Sequence, residues 1–345
     1  MPDEKPDVVH RFEAAKRGEK VRANNGNGAK PPGGVSLAAL SRKKFEPVRW
    51  VVPGVLPEGL TLLAGKPKSG KSWLMLGVAI SVGLGGVALG SIQVEQGDAL
   101  CLALEDNERR LKDRVDQMLG FTEPPERVDA YTSWPRVDAG GIEHIEAWLL
   151  HVKQPRLIVV DVLGKVRPAK RKDEGLYEAD YRALEALKGI ADRHRVAVVV
   201  VHHVSKRTEA EDAFDLVSGT TGLTGAADSV LVLRKQADGV ILYGRGRDMP
   251  EIEKAMSFDE STGSWTVLGN AADVARSDER KRILDVIEHA LDAPTTAEIA
   301  AWTGMVKNNC QQLIYKMLRA GEIVHAEGRK GRYAMPPRMS DKWSE

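Results

Sequence analysis

The stretch Gly65-Lys66-Pro67-Lys68-Ser69-Gly70-Lys71-Ser72 satisfies G-x-x-x-x-G-K-[ST] at every fixed position. It sits between the apolar run Leu60-Thr61-Leu62-Leu63-Ala64 and the helical pattern opened by Trp73 and continued through Ile80. A strand, a glycine-rich loop and a helix in that order are a strong constraint on the fold. Successive backbone N–H groups form an anion nest there, and the helix N-terminus adds the positive end of its dipole. The spacing predicts that residues 65 to 73 cradle a nucleoside triphosphate. Lys71 would reach the β- and γ-phosphates, and the Ser72 hydroxyl would ligate Mg²⁺.

The rest of the chain fits an α/β domain with a smaller module behind it. Ala99-Leu100-Cys101-Leu102-Ala103-Leu104, Leu157-Ile158-Val159-Val160 and Val196 to Val201 are near-continuous apolar runs. Strands buried on both faces have this composition, so a mainly parallel sheet flanked by helices is expected. Tyr177, Tyr181, Leu184, Leu187 and Ala191 recur at helical spacing between two of the runs. Val230-Leu231-Val232-Leu233 and Val240-Ile241-Leu242-Tyr243 flank an Asp238-Gly239 turn signal, and a second pair leads to Trp265-Thr266-Val267. Two antiparallel hairpins are therefore expected to close the sheet.

Residues 1–44 are polar, rich in Asn, Gly and Pro, and carry 10 basic against 5 acidic residues. Their small apolar content predicts a disordered basic tail, either a solvating leader or an arm along DNA. The ATPase-like domain is expected over 45–270, with a linker at 271–276, a second domain at 277–337 and a tail at 338–345. In that second domain Arg280 to Leu291 reads as a helix with Ile283, Leu284, Ile287 and Leu291 inward. Thr295-Thr296-Ala297-Glu298 has capping-box spacing, and Gly304 marks a turn. Val306 to Leu318 then reads as a helix with Val306, Cys310, Leu313 and Met317 inward, followed by a hairpin around Gly328-Arg329-Lys330-Gly331. That order resembles a winged helix-turn-helix.

The net charge of +1 advertises no global affinity for nucleic acid. Cys101 and Cys310, far apart and within apolar patterns, read as buried thiols of a cytoplasmic protein. Neither a signal-peptide core nor an eighteen-residue apolar run occurs, so no membrane partner is expected.

Hydrolysis needs more than a phosphate loop. Asp161 ends its apolar run as a metal-directed carboxylate would, or as an ordinary turn Asp. Glu105 ends the preceding run and reads either as a base for the attacking water or as an acid at a helix N-terminus capped by Asp106. His202 and His203 follow the third run, at the same sheet edge, with no further ligands at zinc spacing.

The series Gly65 to Ser72, Leu104-Glu105-Asp106, Val159-Val160-Asp161 and His202-His203-Val204-Ser205-Lys206 resembles the motif order of RecA-like P-loop ATPases. Within that class it is similar to plasmid RepA-type hexameric helicases, over roughly residues 48–268. The resemblance implies ATP and Mg²⁺ at Lys71 and Ser72, Asp161 as the Walker B carboxylate and Glu105 as general base. It implies His203 as γ-phosphate sensor, with His202 beside it. A homo-hexameric ring is implied too, each site completed by a neighbour's arginine, Arg247 or Arg245 here. The alternative for Arg247 is a pair with Asp248.

Matching loops of such motors grip single-stranded DNA, which points to Lys165, Arg167, Lys170, Arg171 and Lys172, and to Lys206 and Arg207; a solvated surface is the competing reading. In the winged module Lys307 and Asn308 would meet double-stranded DNA, with Arg329 and Lys330 on phosphates, although a protein-binding winged helix is also open. The expected function is an ATP-dependent DNA motor of the replicative-helicase type. A recombinase, a helicase loader or an ATP-switched initiator are the alternatives.

Overall fold

The computed structural model describes residues 34–204, 212–218, 223–236 and 239–336. Residues 1–47 and 48–345 form two compact units. In the first, the described part is a one-turn helix, Leu37–Leu40, capped by the Ser36 hydroxyl, which accepts the Ala39 N–H at 3.2 Å. The tail expected over 1–44 otherwise lies outside the described residues.

The second unit is built on a nine-stranded sheet. Its strands are β1 (Gly59–Gly65), β2 (Asp98–Ala103), β3 (Val128–Tyr131), β4 (Pro155–Asp161) and β5 (Ala197–His203). β6 (Ser229–Gln236), β7 (Gly239–Gly246), β8 (Ile252–Asp259) and β9 (Ser264–Asn270) complete it. The order is β9-β8-β7-β6-β1-β5-β4-β2-β3. β6, β1, β5, β4, β2 and β3 run parallel, and β7 to β9 continue antiparallel. The two closing hairpins expected from sequence are present, although Asp238 of the turn signal lies outside the described residues.

Helices cover both faces. α1 (Lys71–Leu84) packs Leu74, Met75, Val78, Ala79 and Val82 on one face, against Ala99, Cys101, Leu157, Val159, Ala197, Val199 and Val201. α3 (Ile142–His151) and α4 (Leu176–His194) cover the other with Ile145, Trp148, Leu184, Leu187 and Ile190, against Leu100, Ile158, Val198 and Val200. Consecutive residues of β2, β4 and β5 thus alternate between two cores, which is why their sequences show no polar face. α4 is helical where the spacing predicts, but Tyr177 and Tyr181 are exposed. Its buried stripe begins instead at Ala179 and Asp180. α2 (Glu108–Leu119) buries no residue fully.

The C-terminal module comprises α5 (Ala271–His289), α6 (Thr296–Thr303), α7 (Lys307–Ala320) and a hairpin of β10 (Val324–His325) and β11 (Tyr333–Ala334). Where a linker is expected at 271–276, the chain is already helical. Ala-Ala-Asp-Val-Ala-Arg contains good helix formers and neither Gly nor Pro, so α5 starts directly from β9. The capping box of Thr295 and Glu298 forms, and Gly304 and Gly321 close their helices in the left-handed conformation. Ile283, Ile287, Ile299, Cys310, Leu313, Ile314 and Met317 make the module's own core. Two inward assignments are corrected. Leu291 lies past the end of α5 and is exposed, and Val306 is the extended N-cap of α7, 68% exposed, so helical periodicity does not reach it.

Candidate functional site

The phosphate loop joins β1 to α1 with Lys66, Pro67 and Lys68 exposed and Lys71 buried. Gly70 is the N-cap of α1 at φ +91°, a region that disfavours side chains. A Cβ there would meet Cζ2 of Trp265 at 2.6 Å, so glycine is required twice over. The Trp265 indole N–H donates to the Gly70 carbonyl at 3.1 Å. The ammonium of Lys71 donates to the carbonyls of Gly65 and Lys66, both at 2.9 Å, and to Ser69 Oγ at 3.4 Å. Burial lowers its pKa to about 8, against the upward pull of Asp161 and Glu105. The Ser72 hydroxyl bonds the Asp161 carboxylate. Trp73 packs against Phe258, ring centroids 6.2 Å apart, and under the Arg114 guanidinium at 5.1 Å.

Asp161 and His203 end β4 and β5 with the parity of Val159 and Val201, and so lie on the sheet face that carries α1. Asp161 is buried and its pKa is raised, mainly by desolvation. Its Oδ1 atom and Nδ1 of His203 are buried without a hydrogen-bond partner among the described residues. His203 Nε2 lies 3.3 Å from Glu105 Oε2. Glu105 sits just past β2, where the Arg110 guanidinium donates to its carbonyl at 3.0 Å. Asp106 is not the helix cap. Asn107 caps α2, and Asp106 pairs with Arg110 and Arg114. His202 takes the opposite parity. It faces the α4 side near Asp180 and Arg167, away from the phosphate loop, and burial lowers its pKa.

A family model described as AAA domain matches residues 30–209, the part of the chain that holds the phosphate loop, Glu105, Asp161 and His203. The chain belongs to the AAA domain family. The fold of this AAA domain protein is that of RecA-like P-loop ATPases. One solved structure, described as an isolated ATPase domain, superposes with a TM-score of 0.51 at 15% identity, over 77% of this chain and 100% of that one. A DnaB-like replicative helicase, described with its interactions with primase, gives a TM-score of 0.52 at 13% identity, over 75% of this chain and 71% of that one. No curated protein matches the sequence.

Among the described residues of the AAA domain protein, no group of three or more His, Cys, Asp or Glu side chains could hold a metal ion. A phosphate-loop Mg²⁺ does not need one, because phosphate oxygens and water fill most of its coordination. The Ser72 hydroxyl beside the unpartnered Asp161 Oδ1 fits that ion. No described helix is long and apolar enough to cross a membrane.

Other candidates fall away from the phosphate loop. Arg245 pairs in register with Val230, and Ser229 with both Gly246 and Thr61, so the end of β7 lies at the opposite end of β1. Arg247 pairs with Asp228 at 3.3 Å and donates to the Gly225 carbonyl at 3.1 Å, in place of the expected Asp248 alternative. Arg245 lies over the Phe214 ring at 3.9 Å and 3.8 Å from Asp212. Neither arginine serves the phosphate loop of its own chain. After Asp161, Lys165, Lys170, Arg171 and Lys172 are exposed, whereas Arg167 is held by buried Asp180. Lys206 and Arg207 lie outside the described residues. Lys307, Asn308, Arg329 and Lys330 are exposed on the C-terminal module, Arg329 against Asp292.

Sequence reasoning missed three positioning groups: Trp265, the Asp106–Arg114 pair and Asp228. An acid followed by arginines four and eight residues on, as in Asp106, Arg110 and Arg114, is a readable signal. Contact between Trp265 and Gly70 spans 195 residues and leaves no local trace.

Proposed function

We propose that this AAA domain protein is an ATP-driven DNA motor of replication, acting in the manner of RepA-type helicases. The observation that carries the reading is the placement of Ser72, Asp161, Glu105 and His203 around one phosphate loop, on one edge and one face of a RecA-like sheet. Backbone N–H groups of residues 65–72 and the Lys71 ammonium bind the β- and γ-phosphates. Lys71 exchanges the carbonyls of Gly65 and Lys66 for phosphate oxygens. Mg²⁺, held by Ser72 with Asp161 behind it, neutralises charge on those oxygens. Glu105 takes the proton of a water as its oxygen attacks the γ-phosphorus, and the bond to the ADP oxygen breaks. His203 turns from Glu105 to donate to the γ-phosphate and turns back when phosphate leaves.

The outward Arg247, at the far end of the sheet, suits completion of a neighbour's site in a ring of like subunits. Lys165, Lys170, Arg171 and Lys172, on the segment that follows Asp161, would contact the phosphates of single-stranded DNA. Residues 45–270 form the motor, and 277–337 a winged helix. Fold similarity to a solved ATPase domain and to a DnaB-like replicative helicase supports the motor reading. Strand displacement by the full chain with Mg²⁺ and ATP is expected, and Lys71→Ala should abolish it; a wild type that hydrolyses ATP without unwinding would overturn the helicase function.

A second reading is favoured by α7, whose outer face presents Lys307, Asn308, Gln311 and Gln312, side chains able to reach base edges. Here ATP would only switch assembly of a duplex-binding initiator. Sequence-specific duplex binding that survives Glu105→Gln but not Asn308→Ala would select it.

A further inference from the structure

We infer that Trp265 is a positioning residue of the nucleotide site, fixing the direction of the first N–H that α1 offers to phosphate. The inference rests on reading Gly65 to Ser72 as that site. The Gly70 carbonyl accepts two hydrogen bonds, from the Leu74 N–H at 2.9 Å and from the Trp265 indole at 3.1 Å. A peptide unit is planar, with its C=O and the following N–H pointing opposite ways. Two donors on the Gly70 carbonyl therefore set the direction of the Lys71 N–H, at the mouth of the helix N-terminus.

The rest of the environment holds the indole in place. Trp265 is 6% exposed and stacks at 4.9 Å on Phe258, which in turn meets Trp73 at 6.2 Å. Its ring also fills the space over Gly70, where a Cβ would come within 2.6 Å. Trp265 is thus the group through which the antiparallel half of the sheet reaches the phosphate loop. The strand that carries it, β9, runs without a break into α5. A core tryptophan serving packing alone would need neither the bond to this carbonyl nor the glycine beneath it.

The test uses the full chain, Mg·ADP and the variant Trp265→Phe, which keeps an apolar ring and removes the N–H. Loss of one hydrogen bond at the loop should weaken Mg·ADP binding roughly five- to tenfold. ATP turnover should show the rise mainly in KM, with kcat within about twofold. In the wild type, the indole ¹H–¹⁵N resonance that disappears in Trp265→Phe should shift on addition of Mg·ADP, while that of exposed Trp302 stays. Trp265→His, which keeps a ring N–H, should recover part of the affinity; it provides the same readouts should the phenylalanine variant not fold. Unchanged affinity in the variants, or an unmoved Trp265 resonance in a nucleotide-saturated wild type, would overturn the inference. A wild type that binds no Mg·ADP would instead overturn the nucleotide-site reading beneath it.

Discussion

The two ends of β1 treat charge in opposite ways. At the end near Asp228, every polar demand is met. The carboxylate accepts the Leu60 N–H at 3.0 Å and the Lys188 ammonium at 2.7 Å on both oxygens, and it pairs with Arg247 at 3.3 Å. At the phosphate-loop end, Asp161 Oδ1 and His203 Nδ1 are buried without partners among the described residues. The Lys71 ammonium there bonds only neutral oxygens of its own loop. A buried group left unpaired costs about 1–3 kcal/mol, so the second arrangement persists only where something else supplies the missing partner. One end of the sheet is a scaffold, and the other is shaped for a ligand.

Glu105→Gln probes the ligand end most severely. It removes the proton acceptor but keeps the shape beside His203, so kcat for ATP should fall about 10²- to 10⁴-fold, with Mg·ADP affinity unchanged. Equal turnover by the variant in a single-site kinetic assay would remove Glu105 from the chemistry and leave the unpaired groups unexplained. Asp228→Asn probes the scaffold end. It leaves Lys188 and Arg247 without a carboxylate, and the urea unfolding midpoint should fall by an equivalent of about 1–3 kcal/mol. Mg·ADP affinity should stay within about twofold, because a neutral hydrogen-bonding group remains beside the Leu60 N–H. Intact stability with lost hydrolysis in mixed assemblies would instead make Asp228 part of a neighbour's site.

Most of this contrast was legible in sequence, and the exceptions share a cause. The phosphate loop, the three buried runs and the closing hairpins were readable because local spacing determines them. Glu105, Asp161 and His203 were found because each ends an apolar run, and strand ends of one direction share an edge. Their common face was also written in the alternation of β4 and β5, which separates His203 from His202. The false linker at 271–276 arose from weighting Gly269 and Asn270 as a break, although the six following residues favour helix. Trp265, Lys188 and Asp228 were invisible for another reason. Their partners lie 195 residues away for Trp265 and 40 for the Lys188–Asp228 pair, and only sheet order brings such groups together.

The smallest expected effect is a pH dependence that belongs to the ligand end alone. Lys71 titrates near pH 8 because burial disfavours its charge and only neutral oxygens reach it directly. Bound phosphates place negative charge against the same ammonium and raise its pKa. A group whose pKa rises on binding contributes its full affinity below the pKa of the free protein. It loses that contribution as pH climbs above it. Nucleotide phosphates are already fully ionised there, their last pKa being about 6. Mg·ADP affinity should therefore be flat from about pH 7 to 7.5 and weaken about tenfold by pH 9, on the slope set by one proton. Lys71→Arg tests the assignment, since a guanidinium keeps its charge throughout this range and should flatten the profile. A wild-type profile already flat to pH 9 would mean that the ammonium stays protonated in the free protein, so that burial at Lys71 is not the dominant influence on its charge.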